Sequence, residues 1–200
     1  MISTDLRSAL EASIGPIRSI TPVSGGDINA AARIETADAR YFVKWNDRPR
    51  PNMFQAEARG LNLLATAHAL RTPQVMAVID QPAALVLDWI DQGSNKTTAA
   101  EALGRGLAQQ HRSSAEQYGL DHDNTIGSTP QRNTQTRSWI EFYRDRRLGA
   151  QRNLAQHNGY LTPDRARRLD RVMDHLDQWI DEATVVPSLL HGDLWGGNYL

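Results

Sequence analysis

The sequence predicts an α+β protein of two lobes, and three observations lead there. Short strand-like runs, divided by glycine or polar turns, occupy residues 17 to 45 and 74 to 90. One main helical stretch lies between them. From about residue 97 the apolar residues adopt helical spacing for most of the remaining chain.

The elements follow in order. The opening segment reads as a short helix with Thr4 as N-cap and Leu6, Leu10 and Ile14 along one face, ended by Gly15-Pro16. "IRSITPVSGG", "AAARIET" and "RYFVKWN" read as an antiparallel meander, with "ADA" as one of its turns. "RPRPN" breaks the pattern, and a helix is expected from about Asn52 to His68, with Asn52 and Gln55 forming a capping box. "QVMAVID" and "AALVLDWI" are two further strands. Helices are then expected over residues 97 to 115, 137 to 154 and 162 to 181, the last opening on Thr162-Pro163 as N-cap and first helical residue. A polar loop from about Gly119 to Thr136 separates the first two. The layout places an N-terminal lobe at 1–87, a hinge at 88–93 and a helical lobe at 94–200, with no internal repeat.

Composition narrows the possible functions. Lys plus Arg is 22 against 23 for Asp plus Glu, a formal net charge of −1, so the basic excess that a nucleic-acid surface needs is missing. No cysteine is present, which excludes disulfides and thiolate metal sites and suits a reducing compartment. Asp5, Arg7 and Glu11 interrupt any signal-peptide core at the N-terminus, and "AALVLDWI" is too short to span a bilayer. A cytoplasmic protein with no membrane or nucleic-acid partner is expected.

Two charges sit where charge is costly. Strand periodicity puts Tyr41, Val43 and Trp45 on one face of "RYFVKWN" and Phe42 with Lys44 on the other. On the following helix, Met53, Glu57, Gly60, Leu61 and Leu64 form a stripe that includes a carboxylate. Pairing Lys44 with Glu57 resolves both problems; a lysine that snorkels to solvent beside a marginal Glu57 is the other solution. Gly25-Gly26 in "VSGGDIN" either closes a plain hairpin or lets backbone amides approach a phosphate.

The terminal block "HGDLWGGN" is more specific. It sets Asp193 and Asn198 five apart around a glycine-rich turn, the interval of the kinase signature H-R-D-L-x-x-x-N. Phosphoryl transfer needs positioning and charge neutralisation more than covalent help. A carboxylate takes or orients the attacking hydroxyl, which suits Asp193; a neutral oxygen a turn away holds Mg²⁺ against nucleotide phosphates, which suits Asn198. His191 would hold the loop backbone, and Trp195 would pack on the turn. Trp139 and Trp179, at apolar helix spacing, are expected in the core. Arg144, Arg146 and Arg147 alternate with acids and are expected on a solvated, ion-paired face.

With "YFVKWN", "MFQAEARGLNLL", "LVLDWID", "GLDHDNTIGSTPQRN" and "SWIEFYRDRRL", the block "HGDLWGGN" resembles the fructosamine (ketosamine) kinase family from about Val23 to Leu200. The resemblance implies a protein-kinase-like fold shared with aminoglycoside and choline kinases. Its implied reaction is ATP- and Mg²⁺-dependent phosphorylation of a sugar hydroxyl on a free or protein-bound ketosamine, a step in deglycation repair. Carried over by position, Asp193 resembles the catalytic base, Asn198 a metal ligand, and Lys44 the phosphate-binding lysine steadied by Glu57. Asp88, Trp89 and Ile90 match the hinge whose backbone meets adenine, and Gly25 and Gly26 the phosphate-covering loop. His122, Asp123 and Asn124 are implied on the sugar side of the cleft. Kinases of this fold also use an acidic metal ligand downstream of the Asn, so the resemblance implies a helical lobe truncated at its C-terminal end and a 200-residue chain that binds Mg-ATP poorly. A kinase for an aminoglycoside or amino alcohol, and a nucleotide-binding scaffold without catalysis, are the alternatives.

Overall fold

In the computed structural model the described residues are 2–23, 29–93 and 96–199. They form two compact units, Met1–Gln110 together with Leu190–Leu200, and His111–Leu189.

The first unit is built on a five-stranded antiparallel sheet of order β1-β2-β3-β5-β4. The meander is β1 (Ser19–Pro22), β2 (Ala30–Glu35) and β3 (Arg40–Trp45). Thr36 and Ala39 close its second turn, the Thr36 N–H donating to the Ala39 carbonyl at 3.0 Å. β4 (Val75–Ile79) and β5 (Ala84–Asp88) also form where expected, but β5 takes the place beside β3 and pushes β4 to the edge.

Period-two alternation loads the two faces of this sheet differently. Ala32, Ile34, Val43, Ala84 and Val86 pack on Leu6 and Leu10 of α1 (Thr4–Ile14). Phe42, Leu85 and Leu87 pack with Phe54 and Ala58 of α2 (Met53–Thr66). Covered on both sides, β5 has no solvent face to make polar, which accounts for its unbroken apolar run. Each fully buried side chain of this size contributes about 1.5–3 kcal/mol. α3 (Lys96–Gln110) also belongs to this unit, with Gly106 against Leu70.

Three local expectations are corrected here. Ser3, not Thr4, caps α1, its hydroxyl accepting from the Leu6 N–H at 3.1 Å. The capping box of α2 does not form. Asn52 sits in the left-handed region at φ 58°, makes no side-chain cap, and the Gln55 amide donates to Asp80 instead. The stripe on α2 is turned by about one residue: Phe54 and Ala58 are its buried members, and Glu57 lies on its flank.

The second unit departs further from the sequence reading. After Gln110 the chain leaves the helix and pairs with residues 187 to 189, Leu189 N–H donating to Ser113 C=O at 2.9 Å. The polar loop contains a two-stranded hairpin, β6 (Asn124–Ile126) and β7 (Thr129–Gln131), joined by Gly127-Ser128. The next helix is compound: α4 (Trp139–Glu141), a π-helical stretch Phe142–Leu148, then α5 (Gly149–His157). α6 (Pro163–Asp174) starts as expected, with Thr162 accepting from the Arg165 N–H, but ends at Asp174, and short 3₁₀ turns follow.

Trp139 stacks on Phe142 and Tyr143 and meets Tyr118 at a tilt, with centroid separations of 5.3–5.9 Å, as a core residue should. Trp179 does not; it is 61% exposed. Glu182 caps the start of α4 by accepting the Ile140 N–H at 3.0 Å, and that bond, then Ser138, holds its carboxyl below the ordinary range. Arg147 is a further correction. It is half-buried rather than solvated, lies 4.6 Å over the Phe142 ring, and donates to the Asn133 side chain at 2.7 Å. Desolvation accordingly lowers its pKa.

Gly119 makes this arrangement possible. At φ 110° it turns the chain against the hairpin, and a Cβ there would overlap the Asn133 carbonyl oxygen. Gly119→Ala is expected to reduce unfolding free energy by about 2–4 kcal/mol, from backbone strain plus collision. Gly159, at φ 73° with nothing within 4 Å, is the control and should cost only about 1 kcal/mol. Equal losses in denaturant titrations would show that the collision is not what matters.

Candidate active site

β3 and α2 bring the first pair of site residues together. Lys44 is the penultimate residue of β3, opposite Ala31 on one side and Leu85 on the other, and projects toward α2. The Lys44 ammonium donates to Glu57 Oε1 across the strand–helix contact, with side-chain exposures of 19% and 33%. The pairing reading therefore holds over the snorkelling one. A charge so sheltered needs its partner, which fixes the lysine's direction as well as its solvation.

The second pair lies in the turn 191–198, which groups with the same compact unit. Gly192, at φ 87°, reverses the backbone so that the Asp193 N–H donates to His191 Nδ1 at 3.3 Å. The Asn198 side-chain amide donates to the Asp193 carbonyl at 2.7 Å and to Asp193 Oδ2 at 3.1 Å. The Asn198 N–H reaches back to the Trp195 carbonyl at 2.9 Å. Trp195 lays its indole over Gly197, although the ring is largely exposed.

Asn198 is tied to Asp193 through its nitrogen, so its Oδ1 faces away from that contact. With the remaining Asp193 oxygen, Oδ1 supplies hard oxygen donors of the type Mg²⁺ takes. Among the described residues no group of three His, Cys, Asp or Glu could hold a metal alone.

Around the expected hinge, Asp88 and Trp89 use their N–H groups within the sheet, donating to Gln74 C=O at 3.0 Å and Arg40 C=O at 3.1 Å. The Asp88 carboxylate accepts the Gln74 N–H at 2.6 Å and meets Arg71 at 3.4 Å. Ile90 follows directly, half-buried. Gly25 and Gly26 lie outside the described residues.

His122, Asp123 and Asn124 are brought together in the second unit, by a residue the sequence reading missed. Asn133, 1% exposed, donates its side-chain amide to the His122 carbonyl at 3.1 Å and to Asn124 Oδ1 at 2.8 Å. Its own N–H donates to Asp123 Oδ1 at 2.8 Å, and Arg147 completes it from below. Asp123 and Asn124 thus each spend a side-chain oxygen on the scaffold. His122 bonds Asp121 through Nδ1 at 2.6 Å, while its buried Nε2 has no protein partner. The signal for the hairpin was present: Gly-Ser as a two-residue connection is a known hairpin turn.

Comparison with known proteins identifies the family and the fold. The sequence model of the fructosamine kinase family matches residues 2–200. A Lactiplantibacillus plantarum protein assigned as a ketoamine kinase is 40% identical over 92% of this chain and 65% of its own length. A chloroplastic protein-ribulosamine 3-kinase of Oryza sativa subsp. japonica is 38% identical over 91% of this chain and 54% of its own. The chain thus spans between about half and two thirds of these relatives. A Thermobifida fusca crystal structure assigned as a fructosamine-3-kinase superposes with a TM-score of 0.87 at 31% identity, over 96% of this chain and 68% of that one. An aminoglycoside phosphotransferase superposes with a TM-score of 0.56 at 12% identity, over 87% of this chain and 59% of that one, which shows the shared kinase-like fold. With the family match running from residue 2 to residue 200 and enclosing both the Lys44–Glu57 pair and the Asp193–Asn198 turn, the chain belongs to the fructosamine kinase family.

Proposed function

We propose that this protein transfers the terminal phosphoryl group of ATP to a sugar hydroxyl of a ketosamine, as a step in deglycation. The observation that supports it most is the coupling of Asp193 to Asn198 through the amide nitrogen, within the unit that also holds the Lys44–Glu57 pair. In this reading Asp193 accepts the proton of the attacking hydroxyl as its oxygen bonds to phosphorus. The bond from the γ-phosphorus to its bridging oxygen breaks and ADP leaves. Lys44, aimed by Glu57, holds the non-transferred phosphates; Asn198 Oδ1 would help hold Mg²⁺, which would supply charge neutralisation at the phosphates. Residues 88–93 act as a hinge between lobes 1–87 and 94–200, with Asp88, Trp89 and Ile90 lining the adenine edge by their backbone, and Gly25-Gly26 covering the phosphates. His122, Asp123 and Asn124 face the sugar side. A cytoplasmic setting completes the reading.

The relatives assigned as a ketoamine kinase and a protein-ribulosamine 3-kinase favour a ketosamine over an aminoglycoside or amino alcohol. A panel of fructosamine, ribulosamine, glycated protein, aminoglycoside and choline with ATP tests this, read as one added phosphoryl group by mass. Ketosamines should be turned over and their phosphates should then break down to release the free amine. Turnover confined to the aminoglycoside or choline arms would sink the reading.

A further inference from the structure

We infer that Arg40 and Asp91 form an ionic clasp that positions the adenine end of the nucleotide site by fixing the path of the chain through Trp89. The inference rests on the kinase reading above and adds two positioning residues to it.

Arg40 opens β3, and Asp91 lies three residues beyond the end of β5. Their side chains meet in a two-pronged pair, Nη1 to Oδ1 at 2.9 Å and Nη2 to Oδ2 at 2.7 Å. Such a fork fixes orientation as well as distance. The same Asp91 Oδ1 accepts the Trp89 indole N–H at 2.9 Å, while the Trp89 backbone N–H donates to the Arg40 carbonyl at 3.1 Å. Arg33 of β2 places its guanidinium 5.5 Å over the Trp89 ring and is itself paired with Glu35 at 3.1 Å. Arg33 of β2 and Asp91 beyond β5 therefore meet the indole directly, and Arg40 of β3 reaches it through Asp91.

The placement matters more than the bonds. Arg40, Phe42 and Lys44 share one face of β3, and the register continues that face through Leu85 and Leu87 toward Trp89. Arg40 and Lys44 are separated by about 13 Å along the strand at about 3.3 Å per residue. That length is comparable with the reach of a nucleotide from base to outer phosphates. One strand thus carries the clasp at one end and the phosphate-binding amine at the other. An indole locked at the far end sets where a base must lie for its phosphates to reach Lys44.

The pair is exposed, 46% for Arg40 and 68% for Asp91, so it adds little to global stability and its effect should be local. Arg40→Gln and Asp91→Asn should each raise KM for ATP by about 3–10-fold, with kcat and the ketosamine KM within about twofold and the melting temperature unchanged. Raising salt should raise the wild-type KM for ATP toward that of the variants. The exchanged pair, Arg40→Asp with Asp91→Arg, should recover part of the loss. Single variants with wild-type ATP affinity, or losses shared equally by ketosamine KM and melting temperature, overturn the clasp. Fluorescent-ATP titrations of wild type and Lys44→Ala run beside them separate the two ideas. If wild type binds ATP and Lys44→Ala does not, while the clasp variants bind normally, the clasp fails and the kinase reading stands. If wild type itself does not bind, both fail.

Discussion

On the proposed reading, Asp193→Asn is expected to lower kcat by about 10³-fold and leave the KM for ATP within a few-fold, because a general base contributes about 10²–10⁴ and the amide keeps the shape of the carboxylate. The choice of Asn matters. Asp193 is tied to the turn by its backbone, through His191 Nδ1 and through the carbonyl that accepts from Asn198, and both bonds survive the substitution. Only the carboxylate-to-amide contact at 3.1 Å changes character. Folding should therefore be untouched, and the loss should appear in single-turnover chemistry rather than in nucleotide binding. Retention of more than a tenth of wild-type kcat in that assay would remove Asp193 from the reaction.

A second large effect is expected at Lys44, and it has two separable parts. Lys44→Ala strands Glu57 at a contact only one third open to water, which should cost about 1–2 kcal/mol of stability, discounted from the figure for a fully buried pair. It also removes the cation at the phosphates, which should lower kcat/KM for ATP by about 10²–10³-fold. The double variant Lys44→Met, Glu57→Leu tells these apart. Two apolar side chains fit beside Phe42, Met53 and Leu61, so stability should return to wild type or rise. Activity should stay lost. If phosphorylation returned along with the melting temperature, the lysine would be a packing element and nothing more.

The sheet and the first charged pair were readable in the sequence because each rests on a period. Alternation in β3 put Lys44 opposite to Val43, and the structure puts Val43 against α1 and Lys44 toward α2. The Asp193–Asn198 interval was readable as a motif, and the structure adds the Gly192 conformation and the amide bond that close the turn. What stayed hidden depends on single-residue conformations or long-range partners. Nothing local marks Asn52 as left-handed, so an Asn-x-x-Gln pattern suggested a cap that does not form. Arg147 looked solvated because its neighbours are charged. The π-helical stretch from Phe142 shifts the angular positions of those residues, and Arg147 instead lies under Asn133. Asn133 itself carries no pattern; it is a hub only because two separate pieces of chain, residues 122 to 124 and the helix carrying Arg147, meet at its side chain and backbone.

The strand order has a consequence for how the protein is made. β1, β2 and β3 can pair in the sequence in which they leave the ribosome. β4 cannot, because its place in the sheet does not exist until β5 has been inserted beside β3. While residues 46 to 83 are being translated, the open edge of β3 remains unpaired even after α2 has covered the row bearing Phe42, a template for pairing with other nascent chains. Release from that hazard comes with the five residues Ala84–Asp88, which pair with β3 on one side and β4 on the other and leave only β1 and β4 at the edges.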